Sequence, residues 1–187
     1  MWGEGRRREG AHQMESAFTI VTPRLRLYAP SLSEIHELIR GERAELGERI
    51  GAAIPREWPN PHLTEALPII AEAMEQEPGD ARWVWMVIEP ITARVIGDIG
   101  FHGPPRAGAT IELGYVLTPD AQGYGYATEA ASALIHWTFA RTGVAEIIAQ
   151  IDPANVASLR VAAKIGMRER PPVLPGLLCF GISSTPA

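Results

Sequence analysis

Residues Thr110–Thr128 read TIELGYVLTPDAQGYGYAT. The first nine, Thr110 to Thr118, are rich in Ile, Leu, Val and Tyr and suit a buried strand, which Pro119 ends because proline cannot donate to a ladder. Gln122, Gly123, Tyr124, Gly125, Tyr126 and Ala127 then place two glycines and a small residue just before an alanine-rich helix predicted over 128–142. Strand, glycine turn and helix start together make an anion site. The first N–H groups of a helix lack internal partners and carry the positive end of its dipole, so phosphates bind there. Gly125 lets backbone approach a ligand with no Cβ in the way, and Ala127 extends that approach. No Gly-Lys-Ser/Thr follows, as a nucleoside triphosphate loop requires, and the three-glycine dinucleotide fingerprint is missing. The pattern is Gln/Arg-x-x-Gly-x-Gly/Ala.

Outward from this stretch, 187 residues at 46% hydrophobic composition predict one domain with a full core. A net charge of −5 argues against nucleic acid or an anionic membrane as partner, since both need clustered positive charge. No apolar run approaches the ~18 residues that span a bilayer. The opening MWGEGRRREGAHQ has no apolar core behind its charges and does not read as a secretory signal. One cysteine, Cys179, permits no internal disulfide and fits a reducing cytoplasm. Residues 1–16 are expected to be a disordered polar tail and 17–187 the folded domain.

Along the chain, Phe18 to Tyr28 reads as one strand in which Leu25 and Leu27 alternate with Arg24 and Arg26. Ser31 and Glu34 form a capping box ahead of a helix with Ile35, Leu38 and Ile39 on one face. The next segment, to Pro61, has no clean period and carries Trp58 among prolines; Thr64 is expected to cap a second helix. Trp58 is expected as an aromatic plug or as part of an acceptor pocket. Glu77 to Asp80 reads as a turn, followed by a hairpin of Trp83 to Glu89 and Arg94 to His102. After the glycine turn, Ala127, Ala130, Ala131, Leu134 and Thr138 share a helical stripe that Gly143 ends, and Val144 to Ile151 forms another strand. His136 and Trp137 read as surface and packing residues. Asn155 opens a last helix with Leu159, Ala162 and Ala163 facing inward and Gly166 near its end.

Gln122-x-x-Gly125-x-Ala127 resembles the pyrophosphate-binding motif of the GNAT N-acetyltransferase family, which moves an acetyl group from acetyl-coenzyme A to an amine. IDPANVASLRVAAKIGM, Ile151–Met167, resembles the family's next motif, and TPRLRLYAPSLSE, Thr22–Glu34, resembles the opening of its RimJ/RimL-like branch. The ordered set spans most of residues 18–182. The resemblance implies an α/β domain whose central twisted, mostly antiparallel sheet splays at the cofactor strand and is flanked by helices. It implies acetyl-coenzyme A as co-substrate, no metal, a small-molecule or peptide N-terminal amine as acceptor, and a homodimer as the candidate assembly. Cofactor contacts are implied at Val116, Leu117, Thr118, Gln122, Gly123, Tyr124, Gly125, Tyr126, Ala127, Thr128, Asn155 and Ser158. Tyr124 and Tyr126 read as packing residues beside the cofactor, not as acids. After Met167 the chain departs from the family pattern, because prolines at 171, 172 and 175 leave a truncated hairpin before a last strand at Leu177–Ile182.

Transfer from a thioester needs a neutral amine, stabilisation of an oxyanion, and a proton for the departing thiolate. Glu112, on the strand beside the thioester, is the expected base, with Asp98 and His102 in reserve. Ser158 is the expected proton donor to sulfur, and backbone N–H groups around Val116 and Leu117 are the expected oxyanion donors. The competing reading is a silent member that binds the coenzyme as a sensor, and a third is a nucleotide-binding module without acyl chemistry.

Overall fold

The computed structural model describes residues 18–76 and 83–184. They form an eight-stranded open sheet of order β1-β2-β3-β4-β5-β6-β8-β7 with five helices. The tail expected at 1–16 and the turn expected at Glu77–Asp80 lie outside the described residues.

The predicted first strand is two: β1 (Phe18–Val21) and β2 (Arg26–Ala29) pair antiparallel around a turn at Thr22–Leu25. Pro23 breaks the ladder there, and the Thr22 N–H closes the turn on the Leu25 carbonyl at 2.9 Å. The capping box at Ser31 and Glu34 starts α1 (Leu32–Arg40), which ends at Gly41. A helix the sequence reading missed follows, α2 (Arg43–Ile50). Leu46, Gly47 and Ile50 are its buried residues, too few to register as a period. The next helix, α3 (Pro61–Gln76), starts earlier than expected. Its cap is Asn60, whose Oδ1 accepts from the Leu63 N–H at 3.1 Å, while Thr64 lies inside the helix with its hydroxyl on the Asn60 carbonyl.

The sheet continues through β3 (Val84–Glu89), β4 (Arg94–Phe101) and β5 (Thr110–Leu117), all antiparallel. A single 3-10 turn (Pro119–Ala121) precedes α4 (Tyr126–Thr142), two residues longer at its start than predicted and closed by Gly143. The chain then enters β6 (Glu146–Ile151), parallel to β5, and α5 (Val156–Lys164). Ala162 is buried in α5, Leu159 is half-buried and Ala163 is exposed, so the inward face is narrower than expected. The closing segment keeps a hairpin: β7 (Arg168–Arg170) is three residues long and pairs with β8 (Leu178–Ser183), which lies between β6 and β7.

Two cores flank the sheet. One packs α4 and α5 against Ile111, Leu113, Leu117, Ile147, Ala149 and Ile151. The other packs α1, α2 and α3, with Trp58, against Met86, Ile88 and Val95. Strand alternation therefore gives β5 two distinct faces. Ile111, Leu113, Tyr115 and Leu117 look toward α4 and α5, while Glu112, Gly114 and Val116 look toward α1–α3.

Candidate active site

The β5–β6 ladder is short. Thr110, Ile111 and Glu112 pair with Glu146, Ile147 and Ile148, and no pair follows although both strands continue. On its other edge β5 stays paired with β4 through Leu117. The result is a wedge between Leu113–Leu117 and the end of β6. His102 donates its N–H to the Glu112 carbonyl and Thr118 donates its N–H to the Ile96 carbonyl, both at 2.9 Å, so the even-numbered backbone groups face β4. Alternation turns those of Leu113, Tyr115 and Leu117 toward the wedge. The Leu117 carbonyl takes the Gln122 side-chain amide at 3.0 Å, which ties the glycine turn to the strand end.

At the mouth of the wedge lies the start of α4. Gly125 is its cap residue, with φ +82°, and no side chain bonds to the first-turn N–H groups. Those donors and the helix dipole are left to a ligand. The turn is held from behind by the β1–β2 connection. Glu129 accepts from the Thr22 hydroxyl (2.6 Å), the Arg24 N–H (2.9 Å) and Arg24 Nε (2.7 Å), and Arg24 Nη1 donates to the Tyr124 carbonyl at 2.9 Å. The Arg24 guanidinium also sits 4.7 Å over the Tyr126 ring.

Wedge and turn form one cleft of about 520 Å³, lined by Tyr115, Val116, Leu117, Gln122, Gly123, Gly125, Tyr126, Ala127, Thr128, Asn155, Ala157, Ser158, Arg160, Val161 and Lys164. It gathers ten of the residues expected at the cofactor. Thr118 is not among the lining residues; it is buried with its hydroxyl on the Ile96 carbonyl at 3.2 Å. Tyr124 is exposed and stacks on Tyr126 at 5.9 Å. Arg160 and Lys164, one turn apart on α5, were missed in sequence. Both line the cleft with the start of α4, and their i, i+4 spacing on the helix that opens at Asn155 was the available signal. The fit to a pyrophosphate-bearing thioester rests on this donor set: uncapped helix N–H groups, two glycines and two cations.

Asn155 caps α5 by accepting the Ser158 N–H on its Oδ1 at 3.0 Å. This leaves the Ser158 hydroxyl free to bond the Tyr115 hydroxyl, a phenol whose pKa burial raises. The pair sits in the cleft wall, and Tyr115 was not singled out from sequence.

Glu112 lies elsewhere. Its Oε2 accepts from Gln150 Nε2 at 2.7 Å and stands 3.5 Å from His102 Nδ1, in the zipped part of β5 and not in the cleft lining. Four residues along a strand place it roughly 13 Å from Val116. Asp98 is closer, directly across the ladder from Val116. Its Oδ2 accepts from Trp58 Nε1 at 2.8 Å and Asn60 Nδ2 at 3.2 Å. Burial pushes its pKa up to about 6 against the pull of those two bonds. Trp58, 2% exposed, is thus a core residue that holds a carboxylate. His136 is exposed, with Nδ1 at 2.7 Å from the Ser132 carbonyl, and Trp137 packs edge-on against Trp85. No cluster of metal-ligating side chains occurs among the described residues, and no described helix is long and apolar enough to cross a membrane.

The chain is 28% identical over 146 residues to YjdG of Bacillus subtilis, named as an uncharacterized N-acetyltransferase, covering 78% of this chain and 86% of that protein. Among solved structures it superposes on an acetyltransferase from Agrobacterium tumefaciens (TM-score 0.61, 24% identity, 89% of this chain and 95% of that one). It also superposes on RimL, a ribosomal alpha-N-protein acetyltransferase in complex with coenzyme A (TM-score 0.59, 16% identity, 89% and 98%). A third, MccE, is a microcin C7 self-immunity acetyltransferase in complex with acetyl-CoA and AMP (TM-score 0.58, 17% identity, 87% and 93%). The acetyltransferase (GNAT) domain model matches residues 24–168. Half-open strand, uncapped helix and family model agree: the chain belongs to the GNAT acetyltransferases.

Proposed function

We propose that the protein transfers the acetyl group of acetyl-coenzyme A to a primary amine by direct attack of the neutral amine on the thioester. The observation that carries the reading is the arrest of the β5–β6 ladder at Glu112, which opens an unpaired strand edge toward the uncapped start of α4. The first-turn N–H groups of α4, Arg160 and Lys164 hold the phosphates. The cleft-facing backbone of Tyr115 and Leu117 runs beside the pantetheine arm and supplies the oxyanion donor. Ser158, joined to Tyr115, passes a proton to the departing sulfur. Two waiting hydroxyls lower the cost of expelling a thiolate into a half-buried wedge.

The acceptor is an α-amino group at a peptide N-terminus or on a small molecule. Such a group titrates near ~7.8, against ~10.4 for a lysine amine, and so needs a weaker base. The opening at Thr22–Glu34 and the RimL-like architecture support the RimJ/RimL-like branch. A screen of peptide N-termini, amino acids and polyamines, read by thiol release from acetyl-coenzyme A, tests this. Turnover with α-amines above the hydrolysis background supports it, and release that no amine accelerates favours a silent coenzyme binder.

A further inference from the structure

The sheet face toward α1–α3 carries a carboxylate, held only in reserve by the sequence, that the proposed transfer does not yet use. Asp98 is opposite Val116 in the β4–β5 ladder, so their side chains are same-face neighbours with Cβ atoms about 5 Å apart. Val116 lines the cleft and is 43% exposed, whereas Asp98 is 9% exposed. Asp98 is not itself a lining residue; its carboxylate lies directly behind Val116, between the cleft and the core under α1–α3. Its two oxygens are unequal. Oδ2 holds Trp58 Nε1 and Asn60 Nδ2, both from the α2–α3 connection, and Oδ1 takes no hydrogen bond from any described residue. Trp58 is itself fixed in the second core, so the carboxylate cannot swing away from the ladder.

We infer that Asp98 is the catalytic base of the acetyl transfer, with its free Oδ1 accepting the proton of the incoming ammonium and with Trp58 and Asn60 as positioning residues. The assignment rests on the proposed acetyltransferase reading and replaces Glu112 in the role of base. The proton moves from the ammonium nitrogen to Oδ1, and the freed lone pair forms the N–C bond as the carbonyl becomes an oxyanion. Collapse of the adduct breaks the C–S bond. The remaining excess proton on nitrogen goes through the Ser158 and Tyr115 hydroxyls to sulfur, and Asp98 returns its proton to solvent, so the sum is one amide, one thiol and one proton released.

The surroundings suit the task. Met86 across β3, Val116 across β5, and Trp58 and Asn60 above are all uncharged, so no neighbouring charge competes for Asp98. Its shift comes from burial, opposed by the two hydrogen bonds, and leaves the group ionised at neutral pH yet a better base than an exposed carboxylate. The other titratable groups on this face are engaged elsewhere: Tyr28, across Met86, with Glu34 of α1, Arg26 with the Ile50 carbonyl, and Glu112 and His102, roughly 13 Å further along, with each other and Gln150.

The test is the pH profile of kcat/KM for wild type, Asp98→Asn, Glu112→Gln and Trp58→Phe, with acetyl-coenzyme A binding and melting temperature measured on each. Wild type should lose activity below a limb near pH 6. Asp98→Asn should bind acetyl-coenzyme A as wild type does, lose about 10²- to 10⁴-fold in kcat/KM, and lose the limb. Trp58→Phe removes a bond that favours the ionised form, so its limb should move to higher pH, a shift that loss of packing alone does not produce. A folded Asp98→Asn that keeps wild-type kcat/KM and limb overturns the assignment, as does a limb that stays in place in Trp58→Phe or vanishes only in Glu112→Gln. Wild-type protein that binds acetyl-coenzyme A but acetylates no amine refutes the acetyltransferase reading itself, and the assignment with it.

Discussion

The two halves of β5 are made of similar residues and do different work. Thr110–Glu112 pairs with β6, and the Glu112 carbonyl, which also takes the His102 N–H, is where the partner changes; Leu113–Leu117 is bonded to β4 alone and belongs to the site. An unpaired strand edge in the middle of a sheet is costly unless something else takes its donors and acceptors. Here part of that demand is met by Gln122, and a substrate arm can meet the rest. The difference teaches that the cleft is made by stopping a ladder, with no need for a dedicated loop.

The largest effect should come from forcing β4 off the open half. Gly97 pairs with Leu117, and a Cβ there would stand 2.2 Å from the Val116 carbonyl oxygen. Gly97→Ala should therefore destabilise the fold by ~2 kcal/mol or more, lowering the melting temperature by roughly 4–8 °C. An unchanged melting temperature would show that the open half does not depend on β4. Next, removing the hydroxyls that face the wedge should leave its binding intact: Ser158→Ala with Tyr115→Phe should lower kcat by about 10- to 100-fold while the dissociation constant of acetyl-coenzyme A changes little. Equal losses in kcat and binding would mean that the pair shapes the cleft and does not move a proton.

The join between cleft and core carries a pH signature. The Asp98 pKa is raised from 3.8 to about 6 in the folded state, so the folded chain holds a proton that the unfolded chain has released. Stability should fall as pH rises from ~4 to ~6, by on the order of 2 kcal/mol, and Asp98→Asn should lack that component. Chemical denaturation of both proteins at pH 5 and pH 7.5 measures it. The smallest effect should follow from loosening the brace behind the turn. Arg24→Ala removes donors from Glu129 and from the Tyr124 carbonyl and should raise KM for acetyl-coenzyme A about three- to tenfold with kcat nearly unchanged. Its main-chain bond to Glu129 survives the substitution, which is why the effect is small.

What could be read from the chain beforehand follows the same division. Features set by neighbours in sequence were legible: the Ser31–Glu34 box, the Gly125 turn, the Asn155 cap and the glycine after α4 are each written within a few residues. Features set by distant partners were not. Pro23 was visible as the break between β1 and β2, but the anchoring of that turn on Glu129, over a hundred residues away, was not. In α2 three buried residues give no period. Glu112 and Asp98 are both acidic residues in apolar strands, and only the register of β4 on β5 puts Asp98 beside Val116 and leaves Glu112 in the zipped half. Alternation along β5 puts Tyr115 on the face away from Glu112, and only the fold shows that this face is the cleft, because it is the side on which Ser158 stands.

The central claim is that the open half of β5 and the start of α4 hold acetyl-coenzyme A, and calorimetric titration of wild type beside Gly125→Glu tests it most directly. Gly125 has φ +82°, where a side chain is strained, and its Cβ would point to within 3.6 Å of Arg24 Nη2; the substitution also places a negative charge at an anion site. The account predicts saturable binding to wild type and its loss in a variant that still melts cooperatively. Undiminished binding to the folded variant, or none to folded wild type, would contradict it.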